Sequence, residues 1–242
     1  IVWGNLQIHP TIFFDYSHNG LTSYLDTYKN DLRLTSINTG IGIIANYRIK
    51  RFYADLYVTG NYRYFNLNNK DTYIDTDKHR FVVEPHLTLK YDIDGTNELR
   101  FNSSLSHSNP AIENLYDQYI LTSYRQLSVY ENNELYQSQV QNYTLSYDYK
   151  NIVSMLFFGI DVSWTHNRPD VLYGSYYDGI SERITSIKTN ETMDVFSAKL
   201  RASKGFDWKR LKIGAECGYG YYDSPILLQN EIVRYNGNSL NA

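Results

Sequence analysis

The chain has 242 residues, a formal net charge of −3, 25 tyrosines and a single cysteine. The slight excess of acidic over basic residues gives no reason to expect a nucleic-acid partner, which usually requires a basic surface. Cys217, the single cysteine, cannot form a disulfide within the chain. No run of about 18 apolar residues predicts a transmembrane helix, whereas the abundant Tyr, Thr, Ile and Val favour an all-β fold.

Apolar and polar residues alternate with a period of two, and this pattern predicts nine β-strands. The clearest is 81–93, where odd-numbered residues from Phe81 to Ile93 are apolar and even-numbered ones, such as Glu84 and Lys90, are mainly polar. The nine runs cover 6–16, 37–49, 54–63, 81–93, 99–106, 142–149, 152–164, 196–203 and 211–219. A tenth candidate covers 226–235.

The predicted strands are long enough to cross a bilayer. Strands of soluble proteins have about 5–6 residues, while a tilted transmembrane strand needs about 9–11. Tyrosines also lie near strand ends on the apolar face, where an interfacial girdle would place them: Tyr16, Tyr47, Tyr91, Tyr149 and Tyr219. These features predict a transmembrane antiparallel up-and-down β-barrel whose apolar face contacts outer-membrane lipid, with nine or ten of its strands in this chain.

The connections between strands alternate in length. Tight turns are predicted at 50–51, 94–96, 150–151 and 207–210, and long polar connections at 18–34, 66–78, 107–138 and 166–192. Outer-membrane barrels have short periplasmic turns and longer extracellular loops. Long connections gathered at one end therefore favour a barrel over a soluble β-sandwich. The polar second face indicates a lumen that is wet or filled by something polar.

One stretch carries a more particular signal. Residues 99–116 are a strand followed by Pro110-x-Ile112-Glu113-x-Leu115-Tyr116. This segment resembles the barrel of TonB-dependent outer-membrane transporters, and the Tyr- and Asn-rich strands resemble members from Bacteroidetes-type bacteria.

The resemblance implies a barrel of about 22 strands around an N-terminal plug. Residues 1–242 would then be one barrel segment, cut at both ends, with the plug and TonB box outside this sequence. TonB, acting through that plug, and a surface lipoprotein are the implied partners, and the bacterial outer membrane is the implied location.

Catalytic and metal sites are not predicted. None of the six histidines has a ligand-like spacing such as His-x-x-x-His. The acidic run 92–98 suggests calcium at first sight, but Asp94-Gly95 between two alternating runs is a hairpin signature. Ser104 and His107 lie near each other in sequence, yet no Gly-x-Ser-x-Gly elbow occurs. We therefore expect no enzyme activity, no cofactor and no metal.

Tyrosines in the two longest connections are the candidate ligand-binding residues, because aromatic rings with polar tips make good binding surfaces. They are Tyr116, Tyr119, Tyr124, Tyr130, Tyr173, Tyr176 and Tyr177. The alternative is that these tyrosines only pack the connections together, as expected in a chain so rich in tyrosine.

Three functions are consistent with these features. The first is import of a nutrient by a TonB-dependent-type transporter, in which the barrel forms the pathway and extracellular loops capture the substrate. The second is an outer-membrane barrel that no longer transports and serves as a scaffold or as an assembly or secretion component. The third is a soluble β-rich adhesin or sandwich.

Overall fold

The computed structural model describes residues 2–123, 126–131, 134–206, 211–228 and 231–241. The fold of these residues is all-β, with one short 3-10 helix at Ile112–Asn114. The described strands are β1 (Val2–Trp3), β2 (Leu6–Leu25), β3 (Tyr28–Ile49), β4 (Phe52–Asn69), β5 (Ile74–Asp92), β6 (Asn97–His107), β7 (Ile120–Ser123), β8 (Gln126–Tyr130), β9 (Ser138–Asn151), β10 (Leu156–Pro169), β11 (Val171–Asp178), β12 (Ser181–Lys188), β13 (Met193–Phe206), β14 (Leu211–Leu228) and β15 (Glu231–Asn241).

Eleven of the described strands form one antiparallel sheet in which successive strands are neighbours. Its order is β1-β2-β3-β4-β5-β6-β9-β10-β13-β14-β15. The nine predicted strands are confirmed as β2 to β6, β9, β10, β13 and β14, although the run 152–164 starts four residues before β10 and the run 81–93 ends one residue after β5. In the part of the chain that the structure describes, β1 and β15 are the two edges, so the sheet is open.

The register keeps like residues on the same face across the whole sheet. One row of directly paired residues runs through Leu6, Tyr47, Ala54, Leu89, Phe101, Leu145, Val162, Ala198, Tyr219 and Leu240. An adjacent row runs through Arg48, Tyr53, Lys90, Arg100, Ser146, Asp161, Lys199 and Gly218. We call these two sides the apolar face and the polar face. A slip of one residue in any pairing would exchange the two faces of that strand.

The apolar face is turned toward the surroundings. Ile12 is 86% exposed and Phe81 is 68% exposed, and other strands of the sheet carry exposed Ile41 and Trp164. A soluble β-protein buries such a face against a second layer. On the polar face, charged side chains pair across strands instead, as Lys90 Nζ does with Glu98 Oε2 at 2.8 Å.

Two predicted long connections are wrong. Residues 18–34 and 66–78 mostly continue the strands β2 to β5, and the chain reverses in tight turns at 26–27 and 70–73. Asp26 and Tyr73 take left-handed backbone conformations there, with φ of 52° and 56°. In these extensions the apolar residues, such as Leu32 and Leu67, lie on the polar face, so the alternation changes face before the strands end.

The ends of other strands also differ from the predictions. The run 226–235 contains a reversal, because β14 ends at Leu228 and β15 begins at Glu231. The turn predicted at 150–151 lies at 152–155, and the turn predicted at 207–210 lies outside the described residues.

The hairpin at Asp94-Gly95 is confirmed. The carboxylate of Asp94 accepts backbone N–H bonds from Thr96 at 3.0 Å and from Asn97 at 2.8 Å. Gly95 has a φ of 79°, a conformation that suits glycine. Hydrogen bonds from the side chains of Asn97 and Thr96 lower the pKa of Asp94 to about 2. The acidic run therefore forms a turn in which the Asp94 carboxylate accepts hydrogen bonds from the backbone of the turn.

The main buried cluster lies on the polar face, at the end of the sheet that bears the long connections. Leu32 and Leu34 of β3 and Phe65 and Leu67 of β4 are buried there. The connection after β6 covers them with Ile112, Leu115, Tyr116 and Leu135. Burial of each such side chain contributes about 1.5–3 kcal/mol, so this cluster fixes the connection onto the sheet.

Candidate functional site

The two longest connections combine into one structure, which we call the cap (residues 108–137 and 170–192). Its described strands form a second sheet in the order β11-β12-β8-β7. The first connection supplies β7 and β8, and the second supplies the β11–β12 hairpin. Parallel pairing of Ser181–Ile184 with Leu127–Tyr130 joins them. Two loops that are distant in sequence are thereby tied to each other.

Glu84 of β5 holds the start of the cap against the polar face. Its carboxylate accepts hydrogen bonds from Arg63 at 2.7 and 2.9 Å and from Asn61 at 2.6 Å. It also accepts the backbone N–H of His107, the last residue of β6 before the cap, at 2.7 Å. Arg63 in turn donates to the carbonyl oxygen of His107 at 2.9 Å and to Asn109 at 3.2 Å. The Arg63 and Glu84 side chains are only 7% and 16% exposed, so this is a buried ion pair.

A second set of contacts holds the end of the first connection. Arg80 donates to the amide oxygen of Gln137 and to Asp170, each at 3.1 Å. Lys78 donates to the carbonyl oxygen of Leu135 at 2.5 Å. Burial lowers the pKa of Lys78, and the nearby Asp170 carboxylate acts in the opposite direction. Both connections of the cap thus meet the same strand, β5.

Three of the predicted ligand-binding tyrosines pack against one another inside the cap. Tyr130 lies edge-on between Tyr116 and Tyr173, with ring centroids 4.9 and 5.7 Å apart. Its hydroxyl donates to Asn114 at 2.9 Å. Burial raises the pKa of Tyr130 to about 12, so this tyrosine is neutral at physiological pH. Tyr116 and Tyr130 serve packing in this structure.

Three further predicted tyrosines, Tyr119, Tyr176 and Tyr177, are spread over the outside of the cap. Tyr119 packs edge-on against Tyr28 and accepts a hydrogen bond from Arg183 at 3.3 Å. Tyr176 and Tyr177 are each 61% exposed. Tyr177 donates to Glu182 at 2.9 Å, whereas Tyr124 lies outside the described residues. The six predicted tyrosines that lie within the described residues therefore do not converge on one point.

Two concavities border the cap. A groove of 400 Å³ runs between β11 and the end of β14, with Tyr176, Arg183 and Leu227 in its walls. A cavity of 230 Å³ lies at the base of the cap, where β6, β9 and β10 end. Gln137, Asp170 and Tyr173 are among the residues that line it. Among the predicted tyrosines that the structure describes, only Tyr173 and Tyr176 line one of these two spaces.

Sequence reasoning missed the polar residues that position the cap. The alternation places Arg63 in the run 54–63 and Glu84 in the run 81–93 on the polar faces of neighbouring strands, but nothing in this pattern fixes the register between the two strands. In the structure Glu84 pairs with Thr59, and Arg63 pairs with Arg80. The diagonal approach of Arg63 to Glu84 follows from that register and was not visible beforehand.

Comparisons with known proteins do not assign the chain to a family. No protein-family model matches the chain, and no curated protein matches it significantly. Among the described residues, no group of three or more His, Cys, Asp or Glu side chains is arranged to hold a metal ion. None of the helices in the described part of the chain is long and apolar enough to cross a membrane.

Proposed function

We propose that this chain is a segment of an outer-membrane β-barrel that imports a nutrient in the manner of TonB-dependent transporters. The observation that carries the proposal is that the apolar face is exposed and the polar face is covered, the opposite of the arrangement in a soluble protein. An apolar face continues across the whole sheet and is exposed, while the opposite face carries ion pairs and the cap. A bilayer around the sheet would cover the exposed face, as in barrels whose outward band is apolar and whose interior is polar.

Strand lengths support the same placement. β3 has 22 residues, about twice the 9–11 residues that a tilted strand needs to cross the hydrocarbon core. The apolar alternation occupies the half of β3 near 37–49, next to the tight turn after Ile49. In the proposed orientation the other half extends beyond the bilayer and carries the cap on the extracellular side.

In this proposal the eleven described strands are half of a barrel of about 22 strands. The open edges at β1 and β15 are where further strands would pair, because lipid cannot satisfy the backbone groups of an open edge. The polar face would line the pathway, and the cap would meet substrate and a surface lipoprotein. TonB would act through a plug outside this sequence, and we propose no catalytic step.

The natural cysteine offers a test of the membrane placement. Cys217 is exposed, and on the apolar face it pairs with Leu200. A polarity-sensitive fluorophore on Cys217 is expected to emit at shorter wavelength in vesicles and to be quenched by lipids with brominated acyl chains. The matched control is Cys217→Ser with Gly218→Cys, which moves the label to the polar face at the same depth. Equal quenching of both labels by aqueous iodide would rule out the lipid-facing assignment.

The transport step needs a separate measurement. Strains lacking this gene, or lacking TonB, would be grown on a panel of nutrients and assayed for uptake. Any nutrient whose uptake depends on this chain is expected to depend on TonB as well, because the proposed gate opens only when TonB acts on the plug. Uptake through this chain that is unchanged without TonB would remove energised import. If no nutrient's uptake depended on this chain, the scaffold or assembly function would be favoured instead.

A further inference from the structure

The second connection of the cap joins the sheet through an irregular stretch of backbone. The ladder between β10 and β13 ends at Asn167 and Met193, and β11 and β12 form a ladder of their own. Residues 189–192 separate β12 from β13, whereas Asp170 alone separates β10 from β11. Unequal lengths on the two sides interrupt the pairing and let the chain bend there. We call residues 171–188 the flap, and Asp170 together with 189–192 the hinge.

Buried apolar packing holds the first connection of the cap rather than the flap. In the described structure, the cluster on β3 and β4 is covered by four side chains of the first connection and by none of the flap. Within the flap, Val171 and Leu172 are buried beside the hinge, and Gly174 packs against Leu227 of β14. Ile180 at the tip is 63% exposed. The outer part of the flap therefore has little buried apolar surface to hold it in place.

Three ion pairs clamp the flap and its hinge to three different parts of the molecule. They join Asp170 to Arg80 of β5 at 3.1 Å, Lys188 to Glu134 of the first connection at 2.8 Å, and Glu191 to Arg234 of β15 at 3.5 Å. The six side chains are 34–69% exposed, unlike the buried pair of Arg63 and Glu84. Dissolved salt screens exposed charges much more than buried ones. The flap is therefore held by ionic contacts that respond to salt, and the first connection by one that responds little.

The flap also meets the first connection along a short parallel ladder. Ser181–Ile184 of β12 pair with Leu127–Tyr130 of β8, four residues on each strand, and Gln126 donates to Glu182 beside them at 2.7 Å. Parallel pairing is slightly less stable per residue than antiparallel pairing. By contrast, β11 and β12 pair antiparallel over all eight residues of each strand. The flap can therefore leave β8 as an intact hairpin.

We propose that the flap is a charge-controlled device that opens about its hinge when the three ion pairs are screened or neutralised. The first connection stays seated on β3 and β4 while the flap moves. Val171 and Tyr173 of the flap line the cavity at the base of the cap, so opening the flap opens that cavity to solvent. The inference goes beyond the proposed function and is measured on the purified chain. A failure to import leaves it standing, and a flap that does not move leaves import standing.

Pulsed EPR distances between two spin labels on the full chain in detergent test the movement. The natural Cys217 in β14 carries one label, and Ile180→Cys at the flap tip carries the other. The Debye length falls from about 10 Å at 0.1 M salt to about 3 Å at 1 M. An exposed ion pair changes an equilibrium about twofold. Screening all three pairs is therefore expected to raise the ratio of open to closed flap about tenfold, seen as a second distance between the labels.

The matched control combines Cys217 with Glu113→Cys, which places the second label on an exposed residue of the first connection. Its distance distribution is expected to be the same at both salt concentrations. The double variant Asp170→Asn, Lys188→Gln removes two of the three clamps, so the second flap distance should already appear at the lower salt concentration. Asp161→Asn removes an exposed pair with Arg201 that lies within the sheet, and it should leave the flap distance unchanged.

Three results would each overturn the proposal. One is a flap distance that does not change with salt. Another is an equal change in both label pairs, which would mean that the cap moves as one body. The third is the same response to salt in the unmodified flap and in the double variant, because the ion pairs would then not control the movement.

Discussion

Replacing Glu84 with alanine is expected to release the cap from the sheet while the sheet itself stays folded. The change removes the carboxylate that accepts from Arg63, Asn61 and the backbone N–H of His107. Arg63, whose side chain is 7% exposed, would be left as an unpaired buried charge. Breaking a buried pair in this way costs about 3–5 kcal/mol. Lifting the cap returns Arg63 to water, so the molecule avoids most of this cost by opening there.

Hydrogen exchange followed by mass spectrometry would measure this opening. Amides of residues 108–123 are expected to exchange at least about 100-fold faster in Glu84→Ala, because each 1.4 kcal/mol changes an opening equilibrium tenfold. Amides of β9 and β10 should keep their protection, since their partners lie within the sheet.

Glu98→Ala is the matched control for this prediction. Glu98 also lies on the polar face and pairs with Lys90, but the Lys90 side chain is 33% exposed and can turn to water. Exposed pairs contribute about 0–1 kcal/mol, so little change in the exchange of the cap is expected. The double variant Arg63→Met, Glu84→Leu removes both charges together and should recover part of the lost protection. A cap that stays fully protected in Glu84→Ala would show that Glu84 does not hold it.

The strands of the sheet could be predicted because each of them must present an apolar face and a polar face along most of its length. An apolar face and a polar face force a period of two, and runs such as 37–49 and 81–93 display it directly. Nearer the cap the apolar residues, such as Leu32 and Leu67, change to the other face, and the continuous pattern breaks there. The sequence prediction therefore missed the outer parts of β2 and β3. Asn30, in that part of β3, is buried and donates hydrogen bonds to Ser23 and to the backbone carbonyl of Gln118.

The cap could not be predicted in the same way. β7 has four residues and β8 has five, too few to show a period. Its central parallel pairing joins Ser181 to Leu127, residues more than fifty positions apart, and no local pattern selects such a partner. The predicted tyrosines lie in the two connections that form the cap. They did not distinguish Tyr130, which is packed between two rings, from Tyr173 at the cavity.

A second large effect is expected at Gly40, where β2, β3 and β4 approach closely on the polar face. A Cβ atom there would lie 2.3 Å from the carbonyl oxygen of Gly60 and 2.7 Å from the ring of Phe13. The Phe13 ring can turn, but the Gly60 oxygen belongs to the backbone of β4. Gly40→Ala must therefore separate β3 from β4 or distort both strands. Overpacking of a tight site costs about 1–3 kcal/mol, and more when backbone has to move.

The matched control for Gly40→Ala is Gly218→Ala in β14. A Cβ atom at Gly218 would meet its nearest neighbour, the carbonyl oxygen of Ala198, at 3.8 Å, an ordinary contact. This substitution should be neutral or stabilising by about 0.4–1 kcal/mol, because alanine restricts the unfolded chain more than glycine does. Thermal unfolding in detergent, followed by the loss of β-sheet circular dichroism, compares the two. We expect a clearly lower midpoint for Gly40→Ala alone. Equal midpoints would mean that β3 and β4 do not approach as closely as this register requires, and the polar face beneath the cap would then have a different shape.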